Sequence, residues 1–247
     1  MRYFITLSFD GTAFHGWQIQ PNGSSVQGEL QRALSLLLRQ SIEVVGAGRT
    51  DAGVHARIMV AHFDYDNGRE GTINFCDQLA YKLNRILPVS VAISKIEPVE
   101  GNMHARFSAR RRTYRYYVHT KKDPFIRGYS LEVGFPLDFD LMNKAAEVLL
   151  DYVDFGAFCK SHTDVKTTLC KVDTAVWRSL SPYRWYFEIS ADRFLRNMVR
   201  AIVGTLFEVG RHKMTIEDFR RVVEGGCRSD AGESVPPHGL FLENIEY

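Results

Sequence analysis

The order in which two hydrophobic periodicities follow each other is the feature that most constrains the fold of this chain. Apolar residues recur at every second position in strands and at every third or fourth position in helices. Along the first half this pattern predicts a strand, a helix, two strands, a helix and a strand, at 2–9, 25–40, 42–46, 57–65, 73–86 and 90–98. The apolar stripe of the first predicted helix consists of Leu30, Ala33, Leu34 and Leu37. The first half therefore predicts one β-α-β-β-α-β unit.

The second half repeats this order. Its predicted strands are 113–119, 168–179, 183–191 and 240–246, and its predicted helices are 138–150, 193–209 and a short extra helix at 215–224. Two such units in tandem predict an α+β fold with two ferredoxin-like halves built on antiparallel sheets. We place the halves at residues 1–105 and 106–247. The order of the elements is the only support for a duplication, since no internal sequence repeat is visible.

The composition is typical of a folded, water-soluble protein. The chain has 247 residues, of which 45% are hydrophobic and 24% charged, so it can form one large domain or two small ones. No segment approaches the roughly 18 uncharged apolar residues of a membrane span. The charge of Asp10 interrupts the start of the chain before a signal-peptide pattern is complete. We therefore expect a cytoplasmic protein without membrane attachment.

The cysteines do not suggest a disulfide framework or a metal site. The chain has four of them, Cys76, Cys159, Cys170 and Cys227, and none forms a C-x-x-C pair. Free thiols are therefore expected. Cys159, His162 and Cys170 are close in sequence, but they lack the fourth ligand and the paired spacing of a tetrahedral zinc site.

A glycine-rich segment lies between two hydrophobic strands and reads Gly-Ala-Gly-Arg-Thr-Asp-Ala-Gly-Val-His-Ala from Gly46 onward. It is not a dinucleotide-binding fingerprint, because Asp51 stands where the third glycine belongs and a strand follows instead of a helix. Gly46, Gly48 and Gly53 permit backbone conformations and close approaches that side chains would forbid. The segment is either a turn in which Asp51 caps a local amide or a loop that presents Arg49 and Asp51 for chemistry.

Residues 104–122 are strongly basic and contain no acidic residue. The average of 31 lysines and arginines in 247 residues predicts between two and three in such a window, which instead holds seven: Arg106, Arg110, Arg111, Arg112, Arg115, Lys121 and Lys122. Because the net charge of the whole chain is +2, the rest of the chain is net negative. Arginines neutralise phosphates and aromatic rings stack on unpaired bases, and the window also contains aromatics: Phe107, Tyr114, Tyr116 and Tyr117.

The strand predicted within this window has two distinct faces. Tyr114 and Tyr116 should share one face, whereas Arg115 and Tyr117 should point to the other. The pattern is compatible with a nucleic-acid surface, and equally with a solvated basic hairpin whose aromatics belong to the core.

The predicted helix at 193–209 carries Arg196 and Arg200 four residues apart, on one face. Arg200 lies beside the apolar stripe, where a partly buried guanidinium would need an anionic partner. The alternative is an arginine that extends along the helix to reach solvent. The signatures of nucleotide hydrolysis, zinc-dependent hydrolysis and serine-hydrolase chemistry are absent from the sequence.

Taken together, these segments resemble the tRNA pseudouridine synthases of the TruA type. The resemblance covers most of the chain and depends on strings that begin at Phe9 (FDGTAFHGWQ), Ser25 (SVQGEL), Gly48 (GRTDAGVHA), Phe107 (FSA), Arg112 (RTYRY), Phe194 (FLRNMVR) and Gly239 (GLFL). The string GRTDAGVHA is the most specific of them.

The resemblance implies a role for individual residues. Asp51 matches the family's catalytic aspartate, and Arg49 matches an arginine that handles the substrate nucleotide. Tyr114 matches the tyrosine that packs against the target base. Arg200, rather than Arg196, matches the arginine that pairs with the aspartate, and a residue lining the uracil pocket corresponds to Leu240.

The resemblance also implies an activity and its partners. The implied reaction is isomerisation of uridine to pseudouridine in the anticodon arm of tRNA, around nucleotides 38 to 40, without a cofactor or a required metal. It implies a homodimer of duplicated α+β halves with a central basic cleft. Residues of the basic window, Arg110, Arg111, Arg112 and Arg115, would bind RNA. Whether Asp51 attacks ribose C1′, attacks uracil C6 or removes a sugar proton stays open.

Two other interpretations remain possible from the sequence. A non-catalytic RNA-binding protein with RRM-like halves would carry an aromatic R-G-[FY] strand motif, which this sequence lacks, and would leave Asp51 among its glycines unexplained. A different enzyme could use Asp51 and the arginines on a small anionic substrate. Competition by tRNA or by mononucleotides would separate these interpretations.

Overall fold

The structure is a computed structural model, and it describes residues 1–21, 23–66, 73–160 and 167–247. The chain forms two compact units. The first comprises Met1–Arg110 and Leu242–Tyr247, and the second comprises Arg111–Phe241. Both units combine strands with helices, so the predicted α+β class is confirmed.

The elements of the first unit follow the predicted order. They are β1 (Arg2–Phe9), α1 (Val26–Leu38), β2 (Val45–Gly46), β3 (His55–Asp64), α2 (Ile73–Ile86) and β4 (Val91–Val99). β1 pairs antiparallel with β4 and with β3, and β2 pairs antiparallel with β3. The strands are therefore arranged β4-β1-β3-β2. Helix α1 begins at its N-cap Ser25, whose side chain accepts a hydrogen bond from the Gly28 amide. Within its apolar stripe Leu30, Ala33 and Leu34 are buried, and Leu37 is half-buried.

The second unit contains the remaining elements. They are β5 (Arg111–His119), β6 (Leu131–Glu132), α3 (Phe139–Glu147), β7 (Val172–Ser181), β8 (Arg184–Ala191), α4 (Met198–Gly210), α5 (Ile216–Gly225) and β9 (Leu240–Glu246), of which β9 continues into the first unit. Single 3₁₀ turns occur at Val148–Leu150, Gly156–Phe158 and Pro237–Gly239. β8 pairs antiparallel with β5 and β7, and β6 lies parallel to β5.

The strand predicted at 42–46 is reduced to two residues, because side chains of α1 occupy its backbone groups. The amide of Ile42 donates to Ser35 Oγ, and the amide of Val44 donates to Gln31 Oε1. The carbonyl of Val44 accepts from Gln27 Nε2. Backbone groups satisfied in this way are not available for a ladder with a neighbouring strand.

The helix predicted at 193–209 begins later, at Met198. Its N-cap Asn197 has a left-handed backbone, with φ of 68°, which a helix interior does not accept. Arg196 therefore precedes the helix, and the prediction that Arg196 and Arg200 share one helical face is wrong. The strand predicted from 168 likewise begins only at Val172, and the helix predicted at 138–150 ends at Glu147 and continues as a 3₁₀ turn.

Three further findings concern membranes, cysteines and metals. Among the residues that the structure describes, no helix combines the length and the hydropathy needed to cross a bilayer. All four cysteines are free thiols. His162 lies outside the described residues, and within the described ones no three metal-ligating side chains form a group.

Candidate active site

The loop that carries Asp51 connects β2 to β3 and is held at both ends. The amide of Ala47 donates to the carbonyl of Val60, 2.8 Å away, at the start of the loop. At its end the amide of Val54 donates to the carbonyl of Asp51 over 3.2 Å, which closes a tight turn that begins at the aspartate. The backbone position of Asp51 is therefore fixed by main-chain hydrogen bonds.

A second segment, residues 10–18 after β1, packs directly on this loop. The amide of Trp17 donates to the carbonyl of Thr50 and the amide of Gly53 donates to the carbonyl of Phe14, both over 3.3 Å. The two sequence strings that begin at Phe9 and Gly48 thus pack against each other, and the first string supports the loop formed by the second.

Glycines make this packing possible. Gly16 has a φ of 91°, and a β-carbon there would overlap the carbonyl oxygen of Thr50. A β-carbon on Gly11 would overlap the carbonyl oxygen of Val54 in the same way. The two backbones can approach this closely only because neither position has a side chain.

The glycines of the loop itself divide into two kinds. Gly46 lies against the indole of Trp17, with no room for a side chain, and Gly53 has a φ of 77°. Both meet the expectation of a close approach or a special conformation. Gly48 does not, because no atom lies within 4 Å of where its β-carbon would stand and its φ is not positive.

The loop presents its charged side chains unequally to solvent. Arg49 is exposed and Asp51 is half-buried. Between them the hydroxyl of Thr50 is buried and has no hydrogen-bond partner among the described residues. Just after the loop, buried His55 accepts a hydrogen bond on Nδ1 from the amide of Gly11, 3.1 Å away, and the same nitrogen lies 3.1 Å from Asp10 Oδ1.

Tyr114 lies on β5, in the second unit, with only 9% of its surface exposed. Its ring meets the ring of Phe194 edge-on, with centroids 5.1 Å apart. Tyr116 is completely buried on the same face, whereas Arg115 and Tyr117 are half-buried on the other. The prediction of the two strand faces is confirmed.

Arg200 lies in the first turn of α4 and is bonded to the chain segment that precedes β9. Its Nε donates to the carbonyl of Val235 over 2.7 Å, and the amide of Val235 donates back to the carbonyl of Arg200 over 3.2 Å. The side chain is half-buried. This reciprocal pair of hydrogen bonds fixes the position of Nε in the guanidinium. An arginine that extended freely into solvent would not form such a bond.

Leu240 is buried at the start of β9, directly after the 3₁₀ turn Pro237–Gly239. Gly239 in that turn lies against Tyr116, and a β-carbon there would stand 2.9 Å from the phenol ring. The hydroxyl of Tyr116 donates to the carbonyl of Pro236 over 2.8 Å. Burial raises the pKa of Tyr116 far above its ordinary value, so the phenol keeps its proton.

The predicted RNA-binding arginines differ in their surroundings. Arg110 is exposed. Arg111 forms a salt bridge with Asp173 at 3.4 Å, and Arg112 donates to the carbonyl of Asp192 over 2.6 Å. Arg115 is engaged in an ion pair with Glu188. Three of the four therefore have partners within the second unit.

The predicted site residues are divided between the two units. Arg49 and Asp51 are two residues apart on one loop of the first unit, and Tyr114, Arg200 and Leu240 belong to the second. Sequence reasoning missed the supporting role of Trp17, although this residue directly follows Gly16 in a quoted motif. It also missed Val235, which holds Arg200 through its backbone and which no side-chain pattern could have indicated.

Comparison with known proteins gives a consistent result over the whole chain. A family model described as tRNA pseudouridine synthase matches residues 5–108 and 145–247. A protein of Bacteroides fragilis named tRNA pseudouridine synthase A is 55% identical over 246 residues, which cover 100% of this chain and 96% of the relative. Its namesake in Bacteroides thetaiotaomicron is 54% identical and covers 100% and 90%. A third, from Acetivibrio thermocellus, is 37% identical over 98% of both chains.

Proposed function

The chain belongs to the tRNA pseudouridine synthases, a family of isomerases, and we propose that it converts uridine to pseudouridine in the anticodon arm of tRNA, around nucleotides 38 to 40. Asp51 is the catalytic carboxylate in this proposal. The observation that carries it is the support of the Asp51 loop, in which the segment after β1 approaches so closely that Gly11 and Gly16 can bear no side chain. Such preorganisation places a reactive group before the substrate arrives.

The reaction needs a carboxylate, which this loop supplies, and it needs no oxidant or reductant. The bond between uracil N1 and ribose C1′ breaks, the base turns, and a bond between C5 and C1′ forms, while C5 loses a proton and N1 gains one. Atoms are conserved and no electrons are transferred. A half-buried carboxylate can act as a nucleophile or as a base, and the three routes named above stay alternatives.

The other residues take roles around the flipped-out base. Extrusion of a base costs a few kcal/mol, and we propose that Tyr114 recovers part of this by packing against the uracil, which Leu240 also contacts. Arg49 handles the substrate nucleotide. Arg200 acts with Asp51, and an ionised carboxylate is favoured by an arginine partner.

We also propose two ferredoxin-like halves, a basic cleft that binds tRNA through Arg110, Arg111, Arg112 and Arg115, and a homodimer in the cytoplasm. The strand arrangement β4-β1-β3-β2 of the first unit supports the ferredoxin-like part, since it brings together the strands of a β-α-β-β-α-β unit. The dimer depends on the resemblance alone.

The decisive experiment uses purified protein and unmodified, transcribed tRNA, with pseudouridine mapped nucleotide by nucleotide. The wild-type chain should form pseudouridine in the anticodon arm, whereas Asp51→Asn should form none and still bind tRNA with an affinity within a few-fold of wild type. Pseudouridine formed by Asp51→Asn would refute the role of this carboxylate.

The same assay tests the other functions. An RNA-binding protein without activity would bind tRNA and leave every uridine unchanged. An enzyme for a small anionic substrate would be inhibited by mononucleotides as strongly as by tRNA. Modification restricted to another arm of the tRNA would refute the proposed site while keeping the chemistry.

A further inference from the structure

We infer that Tyr116 is a positioning residue for Arg200 and acts through two consecutive backbone carbonyls, those of Val235 and Pro236. The inference depends on the proposed role of Arg200 in the reaction. It concerns a tyrosine that touches no reacting atom and that lies in the core, two residues from Tyr114.

The hydroxyl of Tyr116 has one evident purpose in the structure. The residue is 0% exposed, and a buried hydroxyl is unfavourable unless it forms a hydrogen bond. Its bond to the carbonyl of Pro236 fixes the chain at the residue that directly follows Val235. The ring also abuts Gly239, so one side chain holds both ends of the turn that leads into β9.

Arg200 depends on the carbonyl that precedes this anchor. Its Nε donates to the carbonyl of Val235, and its own backbone carbonyl accepts a hydrogen bond from the amide of Val235. The guanidinium is also close enough to Tyr116 that its positive charge partly opposes the rise in the phenol's pKa caused by burial. Arg200 and Tyr116 are therefore neighbours that bond to adjacent carbonyls of one segment.

The other end of this segment is anchored by α4. The amide of Gly232 donates to Thr205 Oγ1 over 2.9 Å, and Asn197 Nδ2 donates to Ser234 Oγ over 2.6 Å. Gly204 lies so close to the carbonyl of Glu233 that a β-carbon would overlap it. With α4 holding residues 232–234, the phenol fixes the segment at Pro236, and the side chain of His238 further along bonds to the backbone of Ser130.

The test combines Tyr116→Phe with Arg200→Lys and measures kcat and KM for pseudouridine formation in tRNA. Tyr116→Phe should lower kcat about tenfold and leave KM within twofold, because the ring still packs while the carbonyl of Pro236 loses its donor. In the Arg200→Lys background, Tyr116→Phe should have little further effect on kcat, since residues that act as one unit are not additive.

The control for stability is Val118→Ala, which opens a cavity on the same buried face of β5. It should lower Tm at least as much as Tyr116→Phe does, yet leave kcat unchanged at a temperature well below unfolding. If Tyr116→Phe leaves kcat unchanged, or if it lowers kcat equally in both backgrounds, the inference is wrong.

Hydrogen exchange separates this inference from the proposed function. Tyr116→Phe should speed exchange of the amides of Val235, His238 and Gly239, the first of which bonds to Arg200, and Val118→Ala should not. If the wild-type protein forms no pseudouridine, the proposed function fails while faster exchange still supports the contact. If exchange in this segment is unchanged, the positioning role fails even in an active enzyme.

Discussion

Arg115 and Glu188 face each other on the neighbouring strands β5 and β8, with Nε and Nη2 of the arginine both 2.7 Å from one carboxylate oxygen. The guanidinium also lies over the ring of Tyr186, 4.7 Å from its centroid. Opposite charges on directly paired strand residues stabilise a sheet. Within the second unit, Glu188 thus largely compensates the positive charge of Arg115, although the sequence alone places this arginine in a basic stretch.

This relationship predicts that arginines of the basic window differ in what their removal affects. Arg115→Ala should destabilise the protein by about 1 kcal/mol, from the lost ion pair and the lost contact with the Tyr186 ring. It should reduce the slope of log K for tRNA binding against log salt by clearly less than one unit, because Glu188 already compensates much of its charge. The exposed Arg110 should behave oppositely, with Tm unchanged and the slope of log K against log salt reduced by about one unit in Arg110→Ala. Filter-binding titrations at several salt concentrations and thermal melts check both, and equal slopes for the two variants would contradict the distinction.

Substitution of Gly16 should damage the Asp51 loop. Alanine at this position is strained by the φ of 91° and would overlap the carbonyl of Thr50, so we expect a loss of about 1–3 kcal/mol and slower pseudouridine formation. The matched control for stability is Gly48→Ala in the loop itself, where the β-carbon meets open space and the change in stability should stay within about 0.5 kcal/mol. Urea denaturation provides the measurement, and equal midpoints for the two variants would refute this account of the packing.

Buried His62 should make the protein less stable in mild acid. Its Nδ1 accepts a hydrogen bond from the amide of Ala105, and burial together with the charge of Arg2 lowers its pKa to about 4. Between about pH 6.5 and pH 4 the unfolded chain binds a proton that the folded chain excludes, so stability falls as the pH decreases through this range. Above about pH 6.5 this contribution is constant.

The variant His62→Asn keeps an acceptor for Ala105 and removes the titration. Its free energy of unfolding, obtained from urea midpoints at pH 7.5 and pH 5, should therefore depend less on pH than that of the wild type. The comparison uses the change between the two pH values, because the smaller side chain lowers stability at both. Identical pH dependence in the two proteins would exclude His62 as the cause.

Helix α5 begins with a capping box that should contribute measurably to stability. Thr215 Oγ1 accepts from the amide of Asp218, and the amide of Thr215 donates to the Asp218 carboxylate. Thr215→Ala should lower the free energy of unfolding by about 1 kcal/mol, whereas Thr215→Ser, which keeps the hydroxyl, should lower it far less. A thermal melt in which both variants match the wild type would show that the cap contributes nothing.

Most elements could be predicted because their signals are local. The ends of α5 and of β1 follow from residues within a few positions, and the two faces of β5 follow from simple alternation. The late start of α4 could not be predicted, because an apolar stripe that includes Leu195 continues through the left-handed Asn197 and conceals the true first turn. The short β2 could not be predicted either, since side chains of α1 bond the backbone of Ile42 and Val44 and the pairing with β3 is confined to Val45 and Gly46.

The candidate site likewise combines features that local sequence predicts with features that only tertiary contacts determine. The sequence by itself determined the α+β class, the order of the elements, the family and the identity of the residues proposed to act, since these depend on periodicity and on strings of adjacent residues. The tertiary structure alone decided that the segment after β1 supports the Asp51 loop and that Glu188 forms an ion pair with Arg115. It also decided that Tyr116 and Arg200 donate hydrogen bonds to adjacent carbonyls. These relationships join residues far apart in the chain, and their energies depend on distances of about 3 Å that no local pattern encodes.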